Sequence, residues 1–206
     1  KQRIKGLLVY TSLYKVIKEP DENWSGRYLQ ELKQLKCSES VRHRLDMLLD
    51  DLDYAKGKTY LVLKRLRSFC KEQAEIDKYS GFLQSIQGIG FITGTTVLAN
   101  MGDPKNLNNV RELAGFLGLV PREHSRGDHV FRGSITHLGN RVMRTLLIEA
   151  AWIAIRHDQQ LEQFYNRIRA RHHDQFGASK AIVAVARKLT QIIYCVLKEQ
   201  RNYVKH

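Results

Sequence analysis

The sequence predicts a mostly α-helical protein: a long coiled-coil helical arm followed by a compact helical domain with a helix-hairpin-helix. Three observations predict this. Apolar residues recur at heptad spacing between Val41 and Ile76. Residues Leu83 to Gly90, LQSIQGIG, place two glycines between one apolar helix end and the start of another. The only β-like run is His129-Val130-Phe131. A hydrophobic content of 43% over 206 residues is enough for a substantial core.

In chain order, a short basic helix covers Lys1 to about Tyr14, and an irregular stretch with Pro20 and Gly26 follows. Val41, Leu45, Leu48, Leu52, Ala55, Thr59, Val62, Leu66, Phe69 and Ile76 then occupy a/d positions, with Gln73 the one break. About five heptads of this kind argue for a long helix in a coiled coil or helical hairpin. Gly57 costs about 1 kcal/mol against alanine and is a candidate bend. The segment fits a dimerisation or spacer arm and fits one helix of a bundle equally well. Leu45, Leu52, Val62 and Leu66 are expected to be buried, in a partner helix or a partner chain. Asp46, Asp50, Asp51 and Asp53 fit its solvated face better than a metal cluster. Residues 1–80 form this helical region, and residues 81–206 form the second domain.

In the second domain a helix runs from Phe91 to Met101, where Gly102 and Pro104 stop it. Asn109 caps a helix from Val110 to Leu117, ended by Gly118 and Pro121. Arg122 to Gly139 fits a long functional loop or a small hairpin. Helices are predicted over Asn140–His157, Gln159–Arg171 and Ser179–Lys198. In the last, Ala181, Val185, Leu189, Ile192 and Val196 form a buried stripe, with Lys180, Arg187 and Gln191 on the other face. Trp152 and Tyr194 lie on apolar stripes and are expected in the core. His172-His173-Asp174 fits an exposed basic tip rather than a metal site, since adjacent helical residues face different ways.

Charge narrows the partner. Thirty-four Lys and Arg against 21 Asp and Glu give +13, which favours a polyanion. No apolar run approaches the ~18 residues that span a bilayer, and no signal-peptide core is present, so nucleic acid is favoured over membrane. Gly88 and Gly90 suit that partner: glycine accepts positive φ, and a missing Cβ lets a phosphate approach the main chain. The N-terminus of the following helix adds partial positive charge. An ordinary αα-hairpin turn is the plainer alternative. Cys37, Cys70 and Cys195 are odd in number and far apart, which fits reduced thiols in the cytoplasm. The sequence opens at Lys1 in what looks like mid-helix, and is read as a fragment of a longer protein.

Several motifs follow one another in a fixed order. They are Gly88-Ile89-Gly90, Met101-Gly102-Asp103, Gly118-Leu119-Val120-Pro121, Ser125-Arg126-Gly127 and Ile135-Thr136-His137-Leu138-Gly139-Asn140. A basic helix from Arg141 to Trp152 comes next, and later Lys180 and Ala186-Arg187-Lys188-Leu189. In this order they resemble the C-terminal part of the DEDD-type insertion-sequence transposases, a family that includes the pilin-gene-inverting and bridge-RNA-guided recombinases. Residues 1–80 resemble the family's linking coiled coil. The resemblance implies DNA binding and strand transfer on bacterial DNA, homo-oligomers through the coiled coil, and in some members a guide RNA. It also implies a RuvC-like domain whose four acidic residues hold a divalent metal, Mg²⁺. No such domain is recognisable in this sequence, so no metal ligand or cofactor is expected within it.

The resemblance further implies a serine nucleophile after the Gly-Leu-Val-Pro motif. Ser125 is the candidate, among Arg122, His124, Arg126, His129 and Arg132. Such a hydroxyl needs nearby cations to offset phosphate charge. The family keeps its serine directly before glycine, but here Arg126 holds that slot and Ser125 stands one residue early. Either Ser125 serves through a small shift, or this copy has lost its nucleophile; Ser134 and Thr136 are further candidates, and a turn serine is the plain alternative. The expected nucleic-acid contacts are Gly88, Gly90, Arg122, Arg126, Arg132, Asn140, Arg141, Arg144, Lys180 and Arg187. The competing function is a non-catalytic helix-hairpin-helix binding module. Such a module has little need for a long cation-rich serine loop, which favours the strand-transfer reading.

Overall fold

The computed structural model describes residues 1–18, 24–102, 109–126, 129–135, 139–172 and 174–204, with residues 121–134 described by their backbone. The fold is mostly α-helical, with one two-stranded antiparallel sheet among the described residues. The chain divides into two compact units, Lys1–Phe69 and Cys70–His206. No helix among the described residues is long and apolar enough to cross a membrane.

The first unit contains α1 (Gln2–Tyr10), a 3-10 turn (Leu13–Lys15), α2 (Gly26–Gln34) and the start of α3 (Glu39–Glu72). Ser25 caps α2 by accepting from the Tyr28 amide, and the Tyr28 ring meets Trp24 edge-on at 5.3 Å. Ile4 and Leu8 of α1, Leu32 of α2 and Leu45 and Leu49 of α3 close the core with them. Arg42 ties the end of α2 to α3. Its guanidinium donates to the carbonyls of Leu32, Lys33 and Leu35, which α2 leaves unpaired at its C-terminus, and to the Asp46 carboxylate one turn on.

The heptad expectation for α3 is met only at its start. Leu45 is fully buried and Leu52 half-buried, whereas Leu66 is half-buried and Val62 is 61% exposed. Leu61 and Phe69 are exposed too. The helix runs unbroken through Gly57, and it ends beside Gln73, the break in the heptad pattern. Asp46, Asp50, Asp51 and Asp53 are all exposed.

The second unit contains α4 (Ala74–Gln84), α5 (Phe91–Met101), α6 (Val110–Phe116), the hairpin β1 (Pro121–Arg126) and β2 (His129–Ile135), α7 (Arg141–His157), α8 (Gln159–Ala170) and α9 (Gly177–Glu199). Helix α9 is central and packs against α4, α6, α7 and α8. Its Ala181, Val185, Ala186 and Leu189 are fully buried, as are Leu147, Ala151 and Ala154 of α7. Small side chains at these crossings let the helices approach closely. Two aromatic expectations need correction. Trp152 is 38% exposed, touching Tyr165 at 5.8 Å between ring centroids, and Tyr194 is half-buried at the edge of the core. Trp152 sits one position round from Ala151, which holds the buried face.

Leu45→Ala should destabilise the first unit by about 2–5 kcal/mol, as truncation of a fully buried leucine does. Val62→Ala in a monomeric chain should change stability by less than about 0.5 kcal/mol. Denaturant titration of both variants checks this, and a large Val62 effect that grows with protein concentration would reveal a second copy covering α3.

Candidate nucleic-acid interface

The connection from α4 to α5 is a tight turn built on local hydrogen bonds. Ile86 N–H donates to the Leu83 carbonyl and Ile89 N–H to the Ile86 carbonyl. Ile86 and Ile89 point into the core, which fixes the turn from below. Gly88 lies at φ +85, and a Cβ there would stand 2.2 Å from the Ala150 carbonyl oxygen and 3.0 Å from the Ala154 nitrogen. The missing side chain is therefore taken up by the backbone of α7. Gly90 differs: it is exposed, has extended backbone, and nothing lies within 4 Å of its Cβ position. It is the N-cap of α5, and no side chain caps that end, where the helix carries its partial positive charge.

A second pair of glycines closes the base of the β-hairpin. Gly118 N–H donates to the Gly115 carbonyl and Leu119 N–H to the Ala114 carbonyl, with Gly118 at φ +64. This is a Schellman closure of α6, and Leu119, 1% exposed, supplies its apolar contact. At Gly139 a Cβ would lie 2.3 Å from the Gly118 nitrogen. Asn140 N–H then donates to the Phe116 carbonyl. The Asn140 side chain caps α7 by accepting from the Met143 amide and donates to Asn100 at the end of α5. The two ends of residues 118–139 are thereby pinched together.

Between them the segment expected as a loop or small hairpin is a hairpin. Ser125 pairs with Val130, Arg126 with His129 and Glu123 with Arg132, with an irregularity between Pro121 and Glu123. Ser125 and Arg126 are successive positions of β1. Arg122, Arg132 and Ser134 also stand on its strands. Thr136 and His173 lie outside the described residues.

The other expected residues fall into groups. Arg141 is exposed and Arg144 half-buried, one turn apart on α7 and directly after the Gly139–Asn140 clamp. Gly88 instead meets α7 at Ala150 and Ala154. At the helical rise, Ala150 lies about 14 Å along the axis from Arg141. On α9, Arg187 and Lys188 are exposed, but Lys180 donates to the Asp174 carboxylate at 2.6 Å. The hydrogen bond from Lys180 is the main cause holding the Asp174 carboxyl below its ordinary value. Among the described residues no three or more His, Cys, Asp or Glu side chains converge.

Comparison with known proteins agrees with this motif order. The sequence model of the transposase IS116/IS110/IS902 family matches residues 80–166, from α4 into α8. The chain is related to that family. It is 36% identical over 186 residues to the transposase for insertion sequence element IS1111A of Coxiella burnetii, covering 86% of this chain and 49% of that protein. It is 28% identical over 156 residues to a probable family 20 transposase of Pseudomonas aeruginosa, covering 76% of this chain and 45% of the relative. Similarity extends to a pilin gene-inverting protein of Moraxella bovis, 29% identical over 135 residues, with 64% and 40% covered. The chain thus spans about half the length of the curated relatives it matches most extensively.

Sequence reasoning missed two features here. The role of Gly88 depends on α7, which no local pattern reveals. Asp158 is nearly buried, 3% exposed, where only its position before α8 hinted at a cap. Gly88→Ala should cost about 2–5 kcal/mol, from a strained positive φ and a clash with main chain. Gly90→Ala should stay within about 1 kcal/mol of the wild type, since that position is open. Thermal unfolding of the two variants checks the contrast.

Proposed function

We propose that the chain is the DNA-binding and strand-transfer part of an insertion-sequence transposase. The observation that carries this is the family match over residues 80–166, which takes in both glycine contacts, the serine hairpin and the start of α7. In this reading, Gly90 and the start of α5 contact phosphate through main-chain N–H groups, while Arg141, Arg144, Asn140 and the cations of the hairpin hold a second stretch of backbone. Lys180 and Arg187 add charge from α9. Residues 1–80 act as a dimerisation or spacer arm, with Val62 and its neighbours on α3 facing a second copy.

Ser125 is the nucleophile we favour. Its hydroxyl oxygen bonds to phosphorus, the bond from phosphorus to one deoxyribose oxygen breaks, and the proton ends on the departing sugar hydroxyl. Nearby arginines offset the charge that builds on the phosphoryl oxygens. The Mg²⁺ that the resemblance places in the acidic domain would add its charge to this step once that domain is joined; the roles assigned here are those of this chain's own residues. Arg126, in the slot where the family keeps its serine, sets the test.

Binding to duplex DNA should be backbone-driven: with about six phosphates neutralised, affinity falls ~10³ between 50 and 200 mM salt. A salt-independent affinity measured by fluorescence anisotropy would remove the basis of the reading. The chain alone should bind DNA without cutting it. Joined to the acidic domain that the family resemblance implies, it should leave a covalent DNA adduct that Ser125→Ala abolishes. An adduct that survives this change moves the nucleophile to Ser134 or Thr136. No adduct in any form, but activity gained by Arg126→Ser, identifies a lost nucleophile. No adduct even then favours the non-catalytic binding module.

A further inference from the structure

Asp158 is a buried carboxylate that the proposed chemistry does not use. It lies between α7 and α8, 3% exposed, with three hydrogen bonds. Oδ1 accepts from the amides of Gln160 at 3.0 Å and Leu161 at 3.1 Å, capping α8. Oδ2 accepts from the Tyr203 hydroxyl at 2.7 Å. A cap needs only one of the two oxygens; the second binds a residue beyond the end of α9.

That residue leads back to the α4–α5 turn. After α9, Gln200 adopts left-handed backbone at φ +50 and turns residues 200–204 across the unit. Tyr203 N–H donates to Ser85 Oγ at 2.8 Å, and Ser85 Oγ donates to the Phe82 carbonyl at 2.6 Å. Lys78 Nζ, on α4, donates to Gln200 Oε1 at 2.8 Å. The Tyr203 ring packs against the core. Burial, followed by the hydrogen bond to Asp158, pushes the Tyr203 phenol up to about 12, so it remains a donor throughout the working pH range.

Ser85 is the first residue after α4 and stands three positions before Gly88. The Gly88 contact with α7 holds the exit of the turn, and Ser85 holds its entry. Together with Ile86 and Ile89 in the core, these two contacts hold the turn at both ends.

We propose that Asp158 and Tyr203 are positioning residues for the α4–α5 hairpin, acting through Ser85 to set the main chain offered to nucleic-acid phosphate. This rests on reading the hairpin as a phosphate contact. The strap is the segment Gln200 to Val204, and it makes the entry of the hairpin depend on the residues that follow α9.

The test is residue-resolved amide exchange on the whole chain, with DNA affinity measured across a salt series. Tyr203→Phe and Asp158→Ala should raise exchange at the Ile86 and Ile89 amides about tenfold or more, as loss of a hydrogen bond to a charged group does. The Gly118 and Leu119 amides, in the α6 closure, should keep wild-type exchange. Ser85→Ala should give the same local loss with the Asp158–Tyr203 bond intact, and so covers the case in which Asp158→Ala fails to fold. Asp158→Asn should retain protection, because the amide oxygen still caps α8 and its nitrogen donates to the Tyr203 oxygen. In Tyr203→Phe the slope of log affinity against log salt should fall by about 1, the share of one phosphate contact. Unchanged exchange at Ile86 and Ile89, or an equal rise at Gly118 and Leu119, would overturn the inference. A local rise in exchange with an unchanged salt slope would support the strap and overturn the phosphate reading.

Discussion

The second unit depends on contacts that leave no room for a Cβ. Gly88 sits on the backbone of α7 at Ala150 and Ala154, and Gly139 sits on the backbone of Gly118. Main chain against main chain is the closest approach two segments can make, and it fixes their separation more tightly than side-chain packing does. One contact holds the α4–α5 hairpin, and the other holds the base of the β-hairpin. The helical core around α9 supports both, with Leu147, Ala151, Val185 and Leu189 fully buried.

Helix α7 sets the distance between them. Asn140 caps its first turn and bonds to Asn100 at the end of α5, while Gly88, just before α5, meets α7 ten or more residues later. The two helices therefore run antiparallel, and the segments they carry lie at opposite ends of one rigid rod. The start of α5 and the start of α7, which carries Arg141 and Arg144, are thereby held at a set spacing. Two such points suit a regular polyanion, whose phosphates repeat at a set spacing too. The hydrogen bond from Tyr203 N–H to Ser85 adds a further anchor at the entry of the turn.

Local structure was legible in the sequence, and long-range contacts were not. The helix from Phe91 to Met101 has the bounds expected of it, because Gly90 and Gly102 mark its ends. Asn109 caps its helix as expected, whereas Asn140, expected as the first residue of its helix, is the cap just before it. The β-hairpin was harder to read, since its arginines, histidines and glycines give no alternation and its pairing joins residues across a turn. Gly88 was expected to be open to phosphate, but its neighbour is a carbonyl on a helix far along the chain. The bond from Tyr203 to Ser85 spans 118 positions and follows no periodicity. For α3 the heptad pattern named apolar positions correctly but not their cover: Leu45 finds it within the unit, and Val62 does not.

The central claim is that the two segments at the ends of α7 face one DNA. Cysteines placed at Gly90 and Arg141, with Cys37 and Cys195 replaced by serine, can be crosslinked to duplexes carrying thiol-tethered positions. The account predicts that both cysteines capture the same duplex, at sites within one helical turn of each other. Capture by only one position, or at sites more than a helical turn apart, would contradict it.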